Sequence, residues 1–227
     1  MKSLKVFETT KLHYNKYLYK IEICNILASY FRGHLQKDKQ LSYVKIKLDQ
    51  LNLCYTSNKP MTKIMFRSNV DVPTDDFLDA KDIYSVLKNQ KDYTIRVEGL
   101  RLSIYTNNKG VLVEISKRIR NTVQSFWEPK LENLNILKQN IKIVSEPTNF
   151  IYQVYFKNPA KIDSSFAKWL VSNPDKSKIG VKTLEHINNG LVKGCYFYVR
   201  DEKILMIIQM IIGNAIYRVD KLVYIED

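Results

Sequence analysis

Glycine, proline, cysteine and histidine are all scarce in this chain of 227 residues, which holds 7 Gly, 6 Pro, 3 Cys and 3 His. So few Gly and Pro leave no room for a long flexible linker or a low-complexity tract. Cys24, Cys54 and Cys195 are odd in number, far apart and never in a Cys-x-x-Cys pair. That excludes a disulfide framework or a cysteine-based zinc site and suits a reducing cytoplasm. His13, His34 and His186 are equally scattered, so no histidine-rich metal centre is expected. Long apolar runs are missing as well. The longest, Ile204–Ile212, is broken by Gln209 and is about half the ~18 residues that span a bilayer. The opening Met1–Glu8 holds no apolar core of a secretory leader, so a cytoplasmic location is expected, with no membrane partner. The last shortage is of acids: 23 Asp+Glu face 36 Lys+Arg, a formal net charge of +13.

What is present is globular. Hydrophobic residues are 45% and charged residues 26% of the chain, enough to build one large domain or two small ones. In the second half, Ile151–Phe156 reads as a strand ended by Asn158-Pro159. Asp163 caps a helix carrying Phe166, Trp169 and Leu170, and a short helix with Val181, Leu184 and Ile187 ends at Asn189-Gly190. Gly194–Arg200 is a strand, and Asp201 caps a helix closed by Gly213. Because Ile204–Ile212 is apolar all round, that helix is expected to lie buried in the core. Ala215–Ile225 is a final strand or hairpin.

The first half echoes this order. Tyr17–Ile23 is a strand followed by Asn25 and a helix with Leu27, Tyr30 and Phe31; Leu102–Thr106 is a strand followed by Asn107 and a helix with Val111, Leu112 and Ile115. Further strands are expected at Leu41–Leu48, Thr62–Ser68 and Tyr93–Val97. The fold class is therefore α+β, with antiparallel sheets covered by helices on one face, and the parallel order is compatible with two ferredoxin-like halves from an internal duplication. The polar stretch 129–140, with Leu131, Leu134 and Leu137, separates a half at 1–128 from one at 141–227.

Candidate chemistry is thin. Asp75, Asp79 and Asp82 share a helical face and would give a metal-dependent nuclease its carboxylates, but capping at the helix start explains them as well. Glu98-Gly99 reads as a tight hairpin turn, and His186 as a surface histidine. Asn107-Asn108-Lys109-Gly110 lacks the glycines of a phosphate loop. No catalytic residue, metal ligand or cofactor is assigned.

The stronger pattern is alternation, since residues i and i+2 of a strand share a face. It gathers Tyr43, Lys45 and Lys47 opposite Val44, Ile46 and Leu48; Arg101, Ser103 and Tyr105 opposite Leu102 and Ile104; and Tyr196, Tyr198 and Arg200 opposite Cys195, Phe197 and Val199. Tyrosine beside Lys or Arg on an open sheet face suits single-stranded nucleic acid, because cations neutralise phosphates and rings stack on bases. A solvated antiparallel face would carry the same residue types, and an AT-rich genome would raise Lys over Arg unaided. The charge surplus tips the reading towards a polyanionic partner.

The segments Ile179-Gly180-Val181, Gly194–Lys203 and Ile216–Val223, together with Tyr17–Ile23 and Phe126-Trp127-Glu128-Pro129, resemble open reading frames of environmental bacteriophages. The resemblance covers most of the chain and implies a viral, intracellular setting; it carries over no functional residue. The expectation is a non-enzymatic protein binding single-stranded DNA or RNA in viral replication or genome handling, through Tyr43, Lys45, Lys47, Arg101, Tyr105, Tyr196, Tyr198 and Arg200. The alternatives are a metal-dependent nuclease using the Asp cluster or Glu98, and a virion or assembly protein whose exposed aromatics meet another subunit. A homo-oligomer is left open.

Overall fold

In the computed structural model of the protein, residues 5–32, 37–65, 67–120 and 123–226 are described; His34 lies outside them. The chain divides into two compact units, Met1–Thr9 with Lys16–Glu132 and Thr10–Asn15 with Asn133–Asp227.

The first unit is built on a five-stranded sheet. Its strands are β1 (Val6–Glu8), β2 (Tyr19–Cys24), β5 (Tyr93–Glu98), β6 (Arg101–Thr106) and β7 (Val123–Glu128), ordered β1-β7-β2-β6-β5. Between β2 and β5 the chain runs through a 3-10 turn capped by Asn25, helix α1 (Lys37–Thr56), a separate hairpin of β3 (Thr62–Met65) with β4 (Ser68–Asp71), and helix α2 (Thr74–Leu87). Helix α3 (Lys109–Arg118) joins β6 to β7. Ile21, Ile23, Leu102, Ile104 and Phe126 line the helix-covered face and pack with Val44, Leu48, Phe77, Ile83 and Leu112. The β5–β6 hairpin turns at Gly99, whose φ of +60° is the left-handed conformation such a tight turn needs.

The second unit repeats the plan. Its strands are β8 (Ile141–Val144), β9 (Tyr152–Phe156), β10 (Ser177–Ile179), β11 (Tyr196–Val199) and β12 (Ile216–Tyr224), ordered β10-β11-β9-β12-β8. Helices α4 (Ser164–Ser172), α5 (Val181–Asn188) and α6 (Glu202–Ile212) cover one face. The Asp163 carboxylate accepts the Ser165 N–H and the Asp201 carboxylate the Ile204 N–H, satisfying donors that a helix start leaves free. Val154, Phe156, Phe197 and Val199 meet Phe166, Leu170, Ile187, Ile204 and Ile208 in the core.

The two sheets thus share one strand order, β1-β7-β2-β6-β5 and β8-β12-β9-β11-β10, each with a preceding strand added parallel to the last one, β1 on β7 and β8 on β12; helix α5 stands between β10 and β11 where the first unit has only the Gly99 turn. The sheets are antiparallel-dominated but mixed, because of these parallel edges. The fold class is α+β, as the alternation of strand and helix signals implies.

Three expectations need correction. Leu41–Leu48 is not a strand but part of α1, where Val44, Leu48 and Leu51 recur at helical spacing and are buried while Ile46 points out. Helix α6 is not buried all round; only Ile204, Leu205 and Ile208 are. Asn107 is not the cap of α3: Asn108 accepts the Gly110 N–H, and Asn107 accepts the Leu18 N–H at 2.9 Å instead. The 129–140 stretch forms only a single 3-10 turn, Leu131–Asn133, with Leu137 buried.

Phe197, fully buried with its ring 5.2 Å from Phe156 and 5.7 Å from Phe166, anchors the second core. Phe197→Ala is expected to cost about 3–5 kcal/mol in urea unfolding; a loss near zero would mean this core is not packed as described.

Candidate nucleic-acid interface

Nothing in local sequence dictates which groups meet on a sheet; the pairing register does. In the second unit Tyr196 pairs with Tyr155, Tyr198 with Gln153, Lys178 with Tyr198, Arg218 with Tyr155, Asp220 with Gln153, and Lys142 with Leu222. On β9 and β11 the neighbours Tyr152, Val154, Phe156, Cys195, Phe197 and Val199 pack in the helix-covered core, so Gln153, Tyr155, Tyr196 and Tyr198, with the residues paired to them, occupy the opposite face. Two of the three inner strands, β9 and β11, therefore put Tyr155, Tyr196 and Tyr198 on one surface. Tyr196 lies 5.6 Å from Tyr155 and 5.5 Å from Tyr198, ring centre to ring centre.

Cations surround the tyrosines. Lys11, from the Thr10–Asn15 segment, bridges to Lys142 at the sheet edge. Its ammonium sits 4.8 Å from the Tyr155 ring, and the Arg218 guanidinium stacks on the same ring at 4.5 Å. Fully buried Asp220 holds both, pairing with Lys11 and, at 3.1 Å, with Arg218. Lys142 donates to Gln153 Oε1 at 3.0 Å, and Lys178 is exposed. Four cations thus share the face with one carboxylate. Burial, together with the charges of Arg218 and Lys142, pulls the Lys11 ammonium below the ordinary lysine range despite Asp220. Burial and the negative charge of Asp220 push the Tyr155 hydroxyl up to about 12. Beside Tyr155 and Arg218 opens a cavity of 610 Å³ walled by Phe156, Pro159, Gly194 and Tyr217.

The residues singled out by alternation fall in four places rather than one. Tyr196 and Tyr198 lie on the face just described. Arg200 stands just past the end of β11, exposed, with its guanidinium 3.1 Å from Asp201 and 3.7 Å from Asp175. Arg101 and Tyr105 are on the helix-free face of the other sheet. Tyr43, Lys45 and Lys47 belong to α1 in the helical layer, where Lys47 approaches the Tyr43 ring at 5.7 Å and Lys45 pairs with Asp49 at 2.7 Å. Their strand alternation is overturned by the helix. Tyr155, Arg218, Lys142, Lys178 and Lys11 were not singled out, although Tyr155 alternates with Gln153 and Arg218 with Asp220 along their own strands.

The helix-free face of the first unit is chemically different. Lys20 spans Trp127 at 5.0 Å and Tyr105 at 5.7 Å, but its charge is taken by Glu22 at 2.7 Å. Ser125 donates to Glu22 at 2.7 Å, and Phe7 stacks on Trp127 at 4.7 Å. Burial raises the Glu22 carboxyl, but the hydrogen bonds from Lys20 and Ser125 outweigh it and hold the group below its usual range. Tyr105, Ser103 and Ser125 are buried, so this face offers little free ring or charge.

The acids considered for metal chemistry are engaged elsewhere. Fully buried Asp79 accepts the Arg120 backbone N–H at 2.8 Å and its guanidinium at 3.3 Å, and Asp82 accepts the same guanidinium at 2.7 Å. Asp75 lies in the first turn of α2, and Glu98 pairs with Arg96. Among the described residues no group of three or more His, Cys, Asp or Glu is placed to hold a metal ion. His186 is half-buried, its Nδ1 3.4 Å from Cys195 Sγ. Among the described residues no helix is long and apolar enough to cross a membrane. Comparison with protein families, curated proteins and solved structures gives no match.

Two outcomes follow. Asp79→Ala removes the buried carboxylate that holds the Arg120 backbone N–H and guanidinium and is expected to lower unfolding free energy by about 1–3 kcal/mol in urea melts; an unchanged melt would contradict the assignment. Tyr155 holds its proton in the folded state above its ordinary value of 10.0 and up to about 12. The folded protein thus binds the extra proton across that window. This stabilisation is complete below pH 10.0 and is lost as pH rises towards about 12. Ultraviolet titration against a Tyr155→Phe variant checks it: one late-ionising phenol should vanish from the curve.

Proposed function

We propose that this protein binds single-stranded nucleic acid on the helix-free face of its second sheet, in the bacteriophage genome-handling setting that the sequence resemblance implies, within the host cytoplasm. The observation that carries the reading is the convergence of Tyr155, Tyr196 and Tyr198 from the adjacent inner strands β9 and β11, ringed by Lys11, Lys142, Lys178 and Arg218. Aromatic rings on the inner strands of a four-stranded α+β sheet are an established way to stack two or three bases. The strand order of each unit supports a duplicated, ferredoxin-like architecture, in which such inner-strand positions face away from the helices.

The chemistry divides naturally. Exposed Tyr196 and half-buried Tyr198 offer ring faces to successive bases, each worth roughly 1–3 kcal/mol. Lys142, Lys178, Lys11 and Arg218 attract the phosphates without reading sequence. Asp220 fixes Arg218 and Lys11 in place, so the cations are already ordered before a strand arrives. The cavity beside Tyr155 has room for one splayed base.

Fluorescence anisotropy with a short single-stranded oligonucleotide tests the reading. Four cations less one carboxylate neutralise about three phosphates, which predicts a roughly 20-fold loss of affinity from about 50 to about 200 mM salt. Tyr196→Ala is expected to weaken binding about 5- to 150-fold, whereas Tyr43→Ala, on α1, leaves it unchanged. Salt-insensitive binding, or an effect of Tyr43 rather than Tyr196, would overturn it.

A further inference from the structure

Helix α6 turns outward what a solvated helix normally hides. Ile204, Leu205 and Ile208 face the core, yet Met206, Ile207, Met210 and Ile211 are 59%, 45%, 87% and 57% exposed. These four fall at i, i+1, i+4 and i+5 and form one stripe along the helix. No charge interrupts it, since everything after Glu202 and Lys203 is apolar except Gln209. Beside the stripe lies a groove of 640 Å³ walled by Phe166, Trp169, Met210 and Ile211 and also lined by Lys161.

We propose that this stripe is a homodimer interface, in which two copies of the chain pack α6 against α6 about a two-fold axis. A two-fold brings identical surfaces together, and an uncharged stripe meets its own copy without like-charge repulsion. Met210, the most exposed side chain of the stripe, stands on the same face as an apolar groove. Each copy therefore offers both a knob and a receptacle, and a flexible thioether adapts readily to such a fit. In an antiparallel crossing, Glu202 at the start of one helix approaches the groove at the far end of the other, whose lining holds Lys161 and Asp163 together, so no net like charge opposes the contact.

The area agrees. Burying the four side chains removes on the order of 300 Å² of apolar surface per copy. At the roughly 65% apolar share of homodimer interfaces, that corresponds to about 1,000 Å² in total, the lower bound for a specific contact. An interface at that lower bound is weak and concentration-dependent. A lipid surface is a poorer occupant, because interfacial helices line their polar face with Lys and Arg, and α6 has Lys203 alone. Since α6 covers the face of the sheet opposite Tyr155, Tyr196 and Tyr198, dimerisation leaves those rings open. The dimer stands whether or not they bind nucleic acid.

Sedimentation velocity of the full chain from about 1 to about 100 µM is the test. The wild type is expected to pass from monomer to dimer over this range. Met210→Glu should raise the dissociation constant at least about tenfold, with unfolding unchanged because the side chain is mostly exposed. A wild type that stays monomeric throughout, or a Met210→Glu variant that dimerises equally well, would overturn the proposal. So would a monomer that co-floats with phosphatidylglycerol vesicles and loses that property on Met210→Glu.

Discussion

Everything notable about this protein follows from helices packing on one face of each sheet only. Once Val154, Phe197 and Val199 are drawn into the core with Phe166, Leu170 and Ile208, their neighbours have no choice of side. Tyr155, Tyr196 and Tyr198 must emerge opposite, and a slip of one residue between β9 and β11 would exchange rings for core. The hydrophobic core thereby sets the position of the polar face. The cost of burying Tyr196 or exposing Phe197 is what keeps the tyrosines together.

The two units show how far one connectivity can diverge in chemistry. Both sheets follow the same strand order with an added parallel edge strand. In the first unit the helix-free face closes on itself: Lys20 is neutralised by Glu22, Ser103 and Ser125 are buried, and Phe7 covers Trp127. In the second, one carboxylate faces four cations, and Tyr196 remains exposed. A shared sheet order thus says little about shared function, because function resides in the side chains that the core does not need.

Much of the second unit was legible in its sequence, and the reason is punctuation. Asp163, Asn173-Pro174, Asn189-Gly190 and Asp201 bracket α4, α5 and α6, and the Tyr-Phe-Tyr-Val run alternates over a strand short enough to read unambiguously. Tyr43–Leu48 misled because Tyr-Val-Lys-Ile-Lys-Leu alternates just as cleanly over six residues. The helical period appears only when Val44 and Leu48 are extended to Leu51, four turns into a helix of 20 residues. Helix α6 misled for the opposite reason: being apolar on every side, it carries no periodic mark of which side is covered. The cations of the candidate site were hidden by distance. Lys11 and Asp220 lie 209 residues apart, and only the pairing of β8 and β12 beside the Thr10–Asn15 segment brings them together. Short edge strands such as β1 and β8 leave no signal of their own at all.

The most direct examination of the central claim is photo-crosslinking of the full protein to a single strand carrying halogenated pyrimidines, with the attached peptides identified by mass spectrometry. The account predicts attachment within the β9 and β11 peptides, at Tyr155, Tyr196 or Tyr198. Attachment confined to α1 around Tyr43, or to the helices α4, α5 and α6 that cover the other side of the sheet, would contradict it.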